Sequence, residues 1–387
     1  MKIGIDARML GTGFGIARYV QQLVLHLEKI DTANQYILFL RKENWDEFEP
    51  TKPNFKKVLA GIPWYSLAEQ IKFPAIIKAE KVDLMHFPHW NVPLFYNEPY
   101  VVTIHDLIMY HYKRTEASTH GPMVYWIKDQ MHRIILNKAV RTAKKIFVTS
   151  EFTKNDLSKT LHVPLEKMIV TYQAPFEKIN FTNNVENIRT KYNITKPFVL
   201  YVGAAYPHKN LDGLIIAWKI FTEKHGNDYQ LVLTGKENYF YKKLVKDFST
   251  TLRFGRNDNN DATDNKDIVY TSMASDAELT ALYAHTSLYV FPSFYEGFGL
   301  PPLEAMTHDV PVISSSRSCM PEILGNAAEY FDPDNLNEMA ETIWRGLTDQ
   351  NLREKLKTEA KKQIIKYSWD TLAEQTLQIY QSVDKSH

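Results

Sequence analysis

Short apolar runs alternate with longer amphipathic segments along most of the chain. The runs are rich in β-branched and aromatic residues, which is typical of buried strands, and the segments between them repeat at helical spacing. This alternation predicts an α/β fold with parallel sheets and crossover helices. The predicted strands form two series: Lys2–Asp6, Tyr36–Leu40, Asp83–Phe87, Tyr100–His105, Lys145–Thr149 and Met168–Tyr172, then Phe198–Gly203, Gln230–Gly235, Asp267–Thr271, Ser287–Phe291 and Val310–Ser314.

The break between the two series predicts two domains. Residues 174–196 are polar, rich in asparagine and weakly periodic, so we assign a first domain to residues 1–175, a linker to 176–196 and a second domain to 197–368. The last predicted helix begins near Trp369. Each domain is expected to be Rossmann-like, with ligand-binding loops at the carboxyl ends of its strands. Facing loops of two such domains would enclose a cleft, which is the expected site.

Composition agrees with two globular domains, since the chain has 387 residues and single cores seldom grow beyond ~250–300 residues. The 46 basic and 45 acidic residues nearly balance, which excludes a general nucleic-acid binder. The first apolar stretch contains the charged residues Asp6 and Arg8, which the apolar core of a secretory signal does not tolerate. No run approaches the ~20 apolar residues of a membrane span. The single cysteine, Cys319, fits a reducing compartment. We therefore expect a cytoplasmic protein.

The most informative segment is Phe291–Met306, which reads FPSFYEGFGLPPLEAM. It predicts a strand, a glycine loop and a helix opened by two prolines, so backbone N–H groups there could bind an anion. Glu296 and Glu304 flank the loop, and a carboxylate beside an anion site is useful when it binds hydroxyl groups. A ligand with both phosphates and sugar hydroxyls, a nucleotide-sugar, would account for both features. The alternative is that the two glutamates are ordinary solvated surface acids.

Two further motifs follow predicted strands. Lys209, in the run Pro-His-Lys-Asn, is predicted near a helix N-terminus, where a cation is unfavourable unless an anion is bound. A merely solvated lysine is the alternative. His105, in the run Thr-Ile-His-Asp, lies where a buried strand ends, so it is either a hydrogen-bonded structural histidine or a group that touches a substrate hydroxyl or the reacting centre.

The first glycine loop, Gly11 to Gly15, follows a strand but does not have the dinucleotide-binding spacing, because Ile16 occupies the position of the third glycine. The second strand is followed by Arg41 and Lys42 instead of an acid for an adenosine ribose. A nicotinamide site is therefore disfavoured, and Gly13 and Gly15 are expected to form part of a cleft wall.

Several other functions lack their motifs. Residues 258–267 are rich in Asp and Asn, but the run has neither the glycine nor the glutamate of an EF-hand loop. The chain has no Gly-x-Ser-x-Gly elbow, no Walker A loop and no His/Cys cluster with zinc spacing, so no metal site is predicted. The basic and aromatic tract 110–145 is either a helix with a solvated basic face or a surface for anionic lipid or a phosphate-bearing acceptor.

Taken in order, these motifs resemble those of the retaining glycosyltransferases of family 4, which have the GT-B fold. The resemblance spans nearly the whole chain. Its motifs are the run from Gly13 to Tyr19, Thr103 to Leu107, Ser150-Glu151-Phe152, Tyr201-Val202-Gly203, His208-Lys209-Asn210, Ser275 to Leu279, Phe291 to Met306, Pro321-Glu322-Ile323 and Tyr367-Ser368-Trp369.

The resemblance implies a role for each candidate residue. It implies that Glu296 contacts donor-sugar hydroxyls, that Glu304 holds the ribose, and that Lys209 neutralises the leaving diphosphate. It places His105 near the anomeric carbon and has the last helix, 369–387, cross back to the first domain. The remaining implied donor-binding residues are Gly203, Met273, Ser275, Gly297, Phe298, Gly299 and Leu300.

One position departs from the family pattern. Many members have an arginine directly after the glycine equivalent to Gly203, and it helps to bind phosphate, whereas this chain has Ala204. Either backbone N–H groups carry more of the charge or another cation replaces the arginine. The candidates are Lys236, Arg317 and Arg8.

The resemblance also implies a metal-independent transfer of a hexose to a glycan or lipid-linked saccharide, at the inner face of the membrane. The residues of the motifs around His105 and Lys209 resemble those of members that transfer mannose and rhamnose. GDP-mannose is therefore the expected donor. The alternatives are another GT-B enzyme such as a nucleotide-sugar epimerase, or a non-catalytic nucleotide-sugar-binding subunit.

Overall fold

The computed structural model describes residues 1–11, 15–112, 121–176, 185–248, 252–254 and 267–384. The chain forms two compact units, one of Met1–Gln173 with Ser368–His387 and one of Ala174–Tyr367. Five segments discussed above lie wholly or partly outside the described residues. These are Gly13 in the first glycine loop, residues 113–120 of the basic tract, residues 177–184 of the predicted linker, residues 258–266 of the Asp-rich run, and residues 385–387 of the predicted last helix.

The first unit is built on a parallel sheet. Within the described residues it has seven strands, in the order β3-β2-β1-β4-β5-β6-β7. The order reverses between β1 and β4, as it does in a Rossmann sheet. The strands are β1 (Lys2–Asp6), β2 (Gln35–Leu40), β3 (Phe55–Leu59), β4 (Leu84–Phe87), β5 (Tyr100–Ile104), β6 (Lys145–Val148) and β7 (Met168–Val170).

Helices cover this sheet because parallel strands need crossovers, and the crossovers bury both of its faces. In the first of them Leu23 and Val24 are buried, and so is Leu27, one helical turn later. The helices are α1 (Gly15–Ile30), α2 (Leu67–Ala79), α3 (Ile108–His111), α4 (Gly121–Thr142), α5 (Glu151–Leu161) and the last helix of the chain, α14 (Trp369–Asp384).

The second unit repeats the architecture. Its described residues form a seven-stranded parallel sheet in the order β10-β11-β9-β8-β12-β13-β14, and the order reverses between β8 and β12. The strands are β8 (Phe198–Val202), β9 (Gln230–Thr234), β10 (Leu252–Phe254), β11 (Ile268–Tyr270), β12 (Leu288–Phe291), β13 (Val312–Ser315) and β14 (Ala328–Phe331).

The helices of the second unit begin within the predicted linker, where Ile188 and Tyr192 of α6 are buried. In the described part of this unit the α-helices are α6 (Val185–Tyr192), α7 (Leu211–His225), α8 (Tyr239–Asp247), α9 (Asp276–His285), α10 (Leu300–Thr307), α11 (Met320–Leu324), α12 (Leu336–Thr348) and α13 (Gln350–Ile364).

The predicted α/β fold with two parallel sheets is confirmed, and each predicted strand corresponds to an observed one. The pattern missed three strands, β3, β10 and β14, and all three lie at sheet edges. An edge strand is covered less completely and tolerates polar residues, as Lys56 and Lys57 of β3 show. Its sequence therefore lacks the continuous apolar run that identifies a central strand.

The last helix is attached to the first unit by a buried polar link. Tyr380 of α14 bonds His86 Nδ1 at 2.6 Å, and the other ring nitrogen of His86 bonds Thr103 Oγ1 at 2.8 Å. His86 is fully buried, and burial, with a contribution from His105, lowers its pKa to about 3. A neutral histidine thus joins strands β4 and β5 to the end of the chain.

This histidine makes stability depend on pH. The unfolded chain takes up a proton on His86 below about pH 6.5, whereas the folded chain does so only near pH 3, so stability is lost as the pH falls through this window. From about pH 7 to about pH 5 we expect His86 to remove about 2 kcal/mol of the free energy of unfolding. In urea denaturation followed by circular dichroism, the deficit of His86→Gln relative to wild type should therefore be smaller at the lower pH. An equal deficit at both pH values would contradict this linkage.

Candidate active site

The candidate site of the second unit lies where its strand order reverses. Strands β8 and β12 are neighbours, and the crossovers that leave them run to opposite sides, so their loops diverge at the carboxyl edge of the sheet. One loop carries Gly203 to Asn210 and the other carries Pro292 to Gly299. The topology therefore brings together two motifs that stand far apart in the sequence.

Hydrogen bonds tie the two loops together. The Phe294 amide donates to the carbonyl of His208 at 2.8 Å. The side-chain amide of Asn210 donates to the carbonyls of Pro292, at 3.2 Å, and Pro333, at 3.1 Å. Asn210 adopts a left-handed conformation with φ 57° and precedes α7. These hydrogen bonds fix the backbone of the Pro-His-Lys-Asn run and so position Lys209.

Lys209 and Glu296 form an ion pair at the centre of this arrangement. Nζ of Lys209 lies 2.5 Å from Oε1 of Glu296, and the two side chains are 18% and 8% exposed. The Glu296 amide also donates to Ser318 Oγ at 3.1 Å, which holds the backbone of the loop. Two residues predicted separately from the sequence are thus in direct contact.

The glycine loop requires glycine at its last position. Gly299 has φ 90° and precedes α10, and a Cβ there would lie 2.4 Å from Met320 Cε. Phe298 packs edge-on against Tyr367, and the Cys319 thiol donates to the carbonyls of Glu296 and Phe298. The conformation of the loop is therefore set by packing on both sides.

Helix α10 begins at Leu300 with Pro301 and Pro302 in its first turn. Prolines have no N–H, so the backbone donors that the helix leaves unpaired here belong to Gly299 and Leu300, together with those of the preceding glycine loop. A helix N-terminus of this kind carries partial positive charge. The segment can therefore bind an anion beside the Lys209–Glu296 pair.

Glu304 lies on α10 and is 8% exposed. The hydroxyl of Tyr283 donates to its Oε2 at 3.1 Å, and the Tyr283 ring stacks on His308. Sequence reasoning missed Tyr283, because a tyrosine in the last turn of α9 looks like any core residue. It orients the carboxylate that the resemblance assigns to the ribose.

Gly203 lies at the carboxyl end of β8, and there is no room for a side chain around it. It has φ 154°, and a Cβ there would lie 2.7 Å from the Tyr201 hydroxyl. A Cβ on Gly235, at the end of the adjacent strand β9, would lie 2.0 Å from the Gly203 carbonyl oxygen. These two glycines let the ends of β8 and β9 lie against each other beside the loop that leads to Lys209.

Met273 and Ser275 follow β11 and differ in their surroundings. Met273 is 57% exposed. Ser275 caps α9, since its hydroxyl accepts from the Glu278 amide and its own amide donates to the Glu278 carboxylate at 2.8 Å. The capping box accounts for Ser275 without a ligand, so a contact with the nucleotide base is a further role that it would have to combine with capping.

His105 belongs to the first unit and lies directly after β5. Its Nε2 is 2.9 Å from the Pro88 carbonyl, so this nitrogen carries the hydrogen, and Nδ1 accepts from the Gln173 side chain at 3.1 Å. The Tyr19 ring packs edge-on against the imidazole, and burial lowers the pKa of His105 to about 4. These bonds agree with the structural-histidine alternative, and they also fix a neutral tautomer.

In the first glycine loop, Gly15 is the first residue of α1, and a Cβ there would meet no atom within 4 Å. Close packing therefore does not require glycine at this position. Gly13 lies outside the described residues.

The candidate replacements for the missing arginine differ in their environment. Arg317 pairs with Asp332 and Asp334 on the surface. Arg8 is buried in the first unit, where it bonds Asp6 and Glu69 at 2.7 Å each. Lys236 is exposed and directly follows Gly235, beside Gly203. Within the second unit, Lys236 follows β9, the neighbour of β8, whereas Arg317 follows β13, which is two strands away from β8.

The described residues contain neither a metal-binding cluster nor a membrane-spanning helix. No cluster of three or more His, Cys, Asp or Glu side chains in this part of the chain could hold a metal ion. Among the described helices, none combines the length and the apolar content needed to cross a bilayer.

Comparison with known proteins identifies both halves of the chain. Residues 15–174 match the family model described as Glycosyltransferase Family 4, and residues 184–363 match the one described as Glycosyl transferases group 1. The chain is 27% identical over 302 residues to O-antigen chain mannosyltransferase B of Escherichia coli, covering 77% of this chain and 74% of that protein. It is 26% identical over 343 residues to the O-antigen chain mannosyltransferase RfbU of Salmonella typhimurium, covering 85% and 86%.

Solved structures share the architecture. The fold matches sucrose-phosphate synthase from Thermosynechococcus elongatus with a TM-score of 0.75, at 18% identity and over 100% of both chains. It matches the lipopolysaccharide glycosyltransferase WaaG with a TM-score of 0.67, at 14% identity and over 98% and 99% of the two chains. The chain belongs to the family 4 glycosyltransferases and is a glycosyltransferase with the GT-B fold.

Proposed function

We propose that this enzyme transfers mannose from GDP-mannose to a growing surface glycan or a lipid-linked saccharide, with retention of configuration and without a divalent metal. The observation that carries the proposal is the contact of Lys209 with Glu296 beside the start of α10. These groups supply a cation for the diphosphate, a carboxylate that accepts hydrogen bonds from sugar hydroxyls, and backbone N–H donors for phosphate oxygens. Together they suit a sugar diphosphate. The relatives named as mannosyltransferases support the choice of sugar.

In this proposal Lys209 stabilises the charge that develops on the leaving diphosphate. The bond from the anomeric carbon to the phosphate oxygen breaks, and the acceptor oxygen bonds to the same face of that carbon. The acceptor proton passes to the leaving phosphate oxygen, so no protein base is required. Lys209, Lys236 and the backbone donors at the start of α10 act as fixed positive electrostatics and take the place of a metal ion.

Glu296 is assigned to the hydroxyls of the donor sugar. A carboxylate can also act as a glycosyl nucleophile. Its pairing with Lys209 at 2.5 Å disfavours that role, because the ammonium group withdraws negative charge from the oxygen that would attack. Glu304, held by Tyr283, is assigned to the ribose, and the backbone around Met273 and Ser275 to the base. His105 is assigned to a hydroxyl of the donor sugar near the anomeric carbon, which requires that this hydroxyl replace the bond to Pro88 or the bond to Gln173.

A panel of nucleotide-sugars tests the donor. Because a bound donor stabilises the folded state by mass action, GDP-mannose at about 100 times its Kd should raise the melting temperature by about 5 °C or more. Thermal shift measures this rise, and UDP-sugars should give a smaller one. A preference for a UDP-sugar would overturn the donor assignment. Conversion of the donor sugar in the absence of any acceptor would indicate an epimerase instead.

Replacing Lys209 tests the electrostatic role. Loss of one preorganised charge that stabilises a transition state typically costs ~10²–10³ in rate, so kcat of Lys209→Gln should fall by about that factor at saturating donor. Glutamine keeps a hydrogen bond to Glu296, which limits damage to the loop. The control is Lys224→Gln, an exposed lysine of the same unit that pairs with Glu341. Near-normal turnover of Lys209→Gln would refute the role.

Replacing Glu304 tests the ribose contact. Hydrogen bonds to a charged group contribute ~1.5–3 kcal/mol each, so Glu304→Gln should weaken GDP binding by about 10-fold to 150-fold in calorimetry. The loss should be much smaller for 2′,3′-dideoxy-GDP, which lacks the hydroxyls concerned. The control is Glu341→Gln, a surface glutamate of the same unit. An equal loss for both nucleotides would point to damage of the fold, and no loss would rule out the assignment.

A further inference from the structure

Three neighbouring strands of the first sheet each place a polar residue at the same edge. His105 directly follows β5, Thr149 directly follows β6, and Gln173 comes shortly after β7. Because parallel strands all end at one edge of the sheet, these side chains meet there. The Thr149 hydroxyl donates to the His105 carbonyl at 2.8 Å, and the Gln173 amide donates to Nδ1 of His105 at 3.1 Å. This part of the edge is therefore built around His105.

Of the two hydrogen bonds that the His105 ring makes, the one to Gln173 is the easier to open. Nε2 donates to the carbonyl of Pro88, which is buried and directly follows β4, so that carbonyl has little freedom to move. The Tyr19 ring packs edge-on against the imidazole, with ring centroids 4.8 Å apart, and restrains the ring itself. The Gln173 amide stands at the end of a side chain that can change rotamer.

Opening this bond is favourable only if both nitrogens find a new partner. Gln173 is 5% exposed, and an unpaired polar group in such a place is costly. The needs of the two nitrogens are complementary, since Nδ1 of His105 accepts a hydrogen and the Gln173 amide donates one. A hydroxyl group both donates and accepts, so one hydroxyl between them satisfies both. A carboxylate or an apolar group does not.

Three ionisable neighbours of His105 also favour a neutral ligand. Burial raises the pKa of Tyr19, and burial lowers the pKa values of His86 and His89 to about 3, with a smaller contribution from His105. All three side chains are therefore neutral near pH 7 and add no charge to this place. A hydroxyl enters such surroundings without the cost of desolvating an ion.

We propose that a hydroxyl of the donor sugar inserts between Gln173 and His105, donating to Nδ1 and accepting from the Gln173 amide. His105 stays neutral, with its hydrogen on Nε2 and its bond to Pro88 intact. Gln173 is then a second ligand of the sugar, and it helps to select sugars that carry this hydroxyl. The inference rests on the proposed function in one respect, the assignment of His105 to a hydroxyl of the donor sugar.

Monodeoxy analogues of the donor, each lacking one sugar hydroxyl, test the insertion. Gln173→Met keeps the length of the side chain but has no hydrogen to donate, so with the natural donor it should lower kcat/KM about tenfold. With the analogue that lacks the inserted hydroxyl, wild type should already be impaired, and the substitution should add no more than about twofold. With every other analogue the substitution should cost the full factor. The same factor for all analogues would indicate a merely structural role and overturn the proposal.

The matched control is Gln70→Met. Gln70 is another buried glutamine of the first unit, 8% exposed, and it accepts from the Leu94 amide at 2.7 Å. Any loss that this control causes should be the same for every analogue. GDP affinity should be unchanged in both variants, because the nucleotide is assigned to the second unit, and so reports an intact fold.

Gln173→Glu gives a second variant of nearly the same shape. A carboxylate beside Nδ1 raises the pKa of His105, which burial holds at about 4 in the wild type. Protonated Nδ1 cannot accept a hydrogen bond, so kcat/KM of the variant relative to wild type should fall as the pH is lowered from about 8 to about 6. A ratio that does not change with pH would contradict the proposed role of Nδ1.

His105→Phe, measured with the same analogues, separates this inference from the proposed function. Non-additive losses of His105→Phe and Gln173→Met with one and the same analogue would support the insertion. Non-additivity for His105 alone would overturn the insertion and leave the proposed function standing. Non-additivity for neither residue would refute the assignment of His105 as well. If the enzyme uses a different nucleotide-sugar, the series is made from that sugar, and the same outcomes decide.

Discussion

The candidate active site depends on the reversal of strand order between β8 and β12. In a parallel sheet all strands end at the same edge, so every strand-to-helix loop lies at the carboxyl ends of the strands. Only where the order reverses do adjacent strands send their crossovers to opposite sides and leave space between the loops. The Gly203–Asn210 loop and the Pro292–Gly299 loop leave the sheet at this point. Hydrogen bonds from the Asn210 side chain and from the Phe294 amide hold the two loops together.

The Lys209–Glu296 pair shows how such a site is stable before a ligand binds. A largely buried cation is costly without a partner, and so is a largely buried carboxylate. Each offsets the other here, and in the proposed function the two side chains separate when a diphosphate binds the lysine and sugar hydroxyls bind the glutamate. The ion pair thus stabilises the site and is also composed of the groups that a sugar diphosphate needs. Tyr283 provides the equivalent support for Glu304.

The first unit contains hydrogen-bonded histidines and, on helix α4, large apolar side chains in contact with solvent. Both ring nitrogens of the fully buried His86 and of the half-buried His105 are bonded, so each histidine stays neutral at little cost. The outer face of α4 does the opposite, because its apolar side chains Met123, Trp126, Ile127 and Ile134 are 73%, 61%, 48% and 53% exposed. Folding explains the first arrangement but not the second, and an apolar surface of this kind is characteristic of an interaction site.

The sequence by itself determined the class of fold, because central strands and crossover helices have hydrophobic periods that can be read directly. It did not reveal β3, β10 and β14, whose edge positions relax the apolar requirement. It also identified Lys209, His105, Glu296 and Glu304 as candidates, through glycine and proline signals and a family resemblance. Only the tertiary structure decided that Lys209 contacts Glu296 and that Tyr283 holds Glu304, because those contacts depend on the order of strands in the sheet. The exposed face of α4 was likewise hidden, since an apolar residue in a helix has the same sequence signature whether it is buried or not.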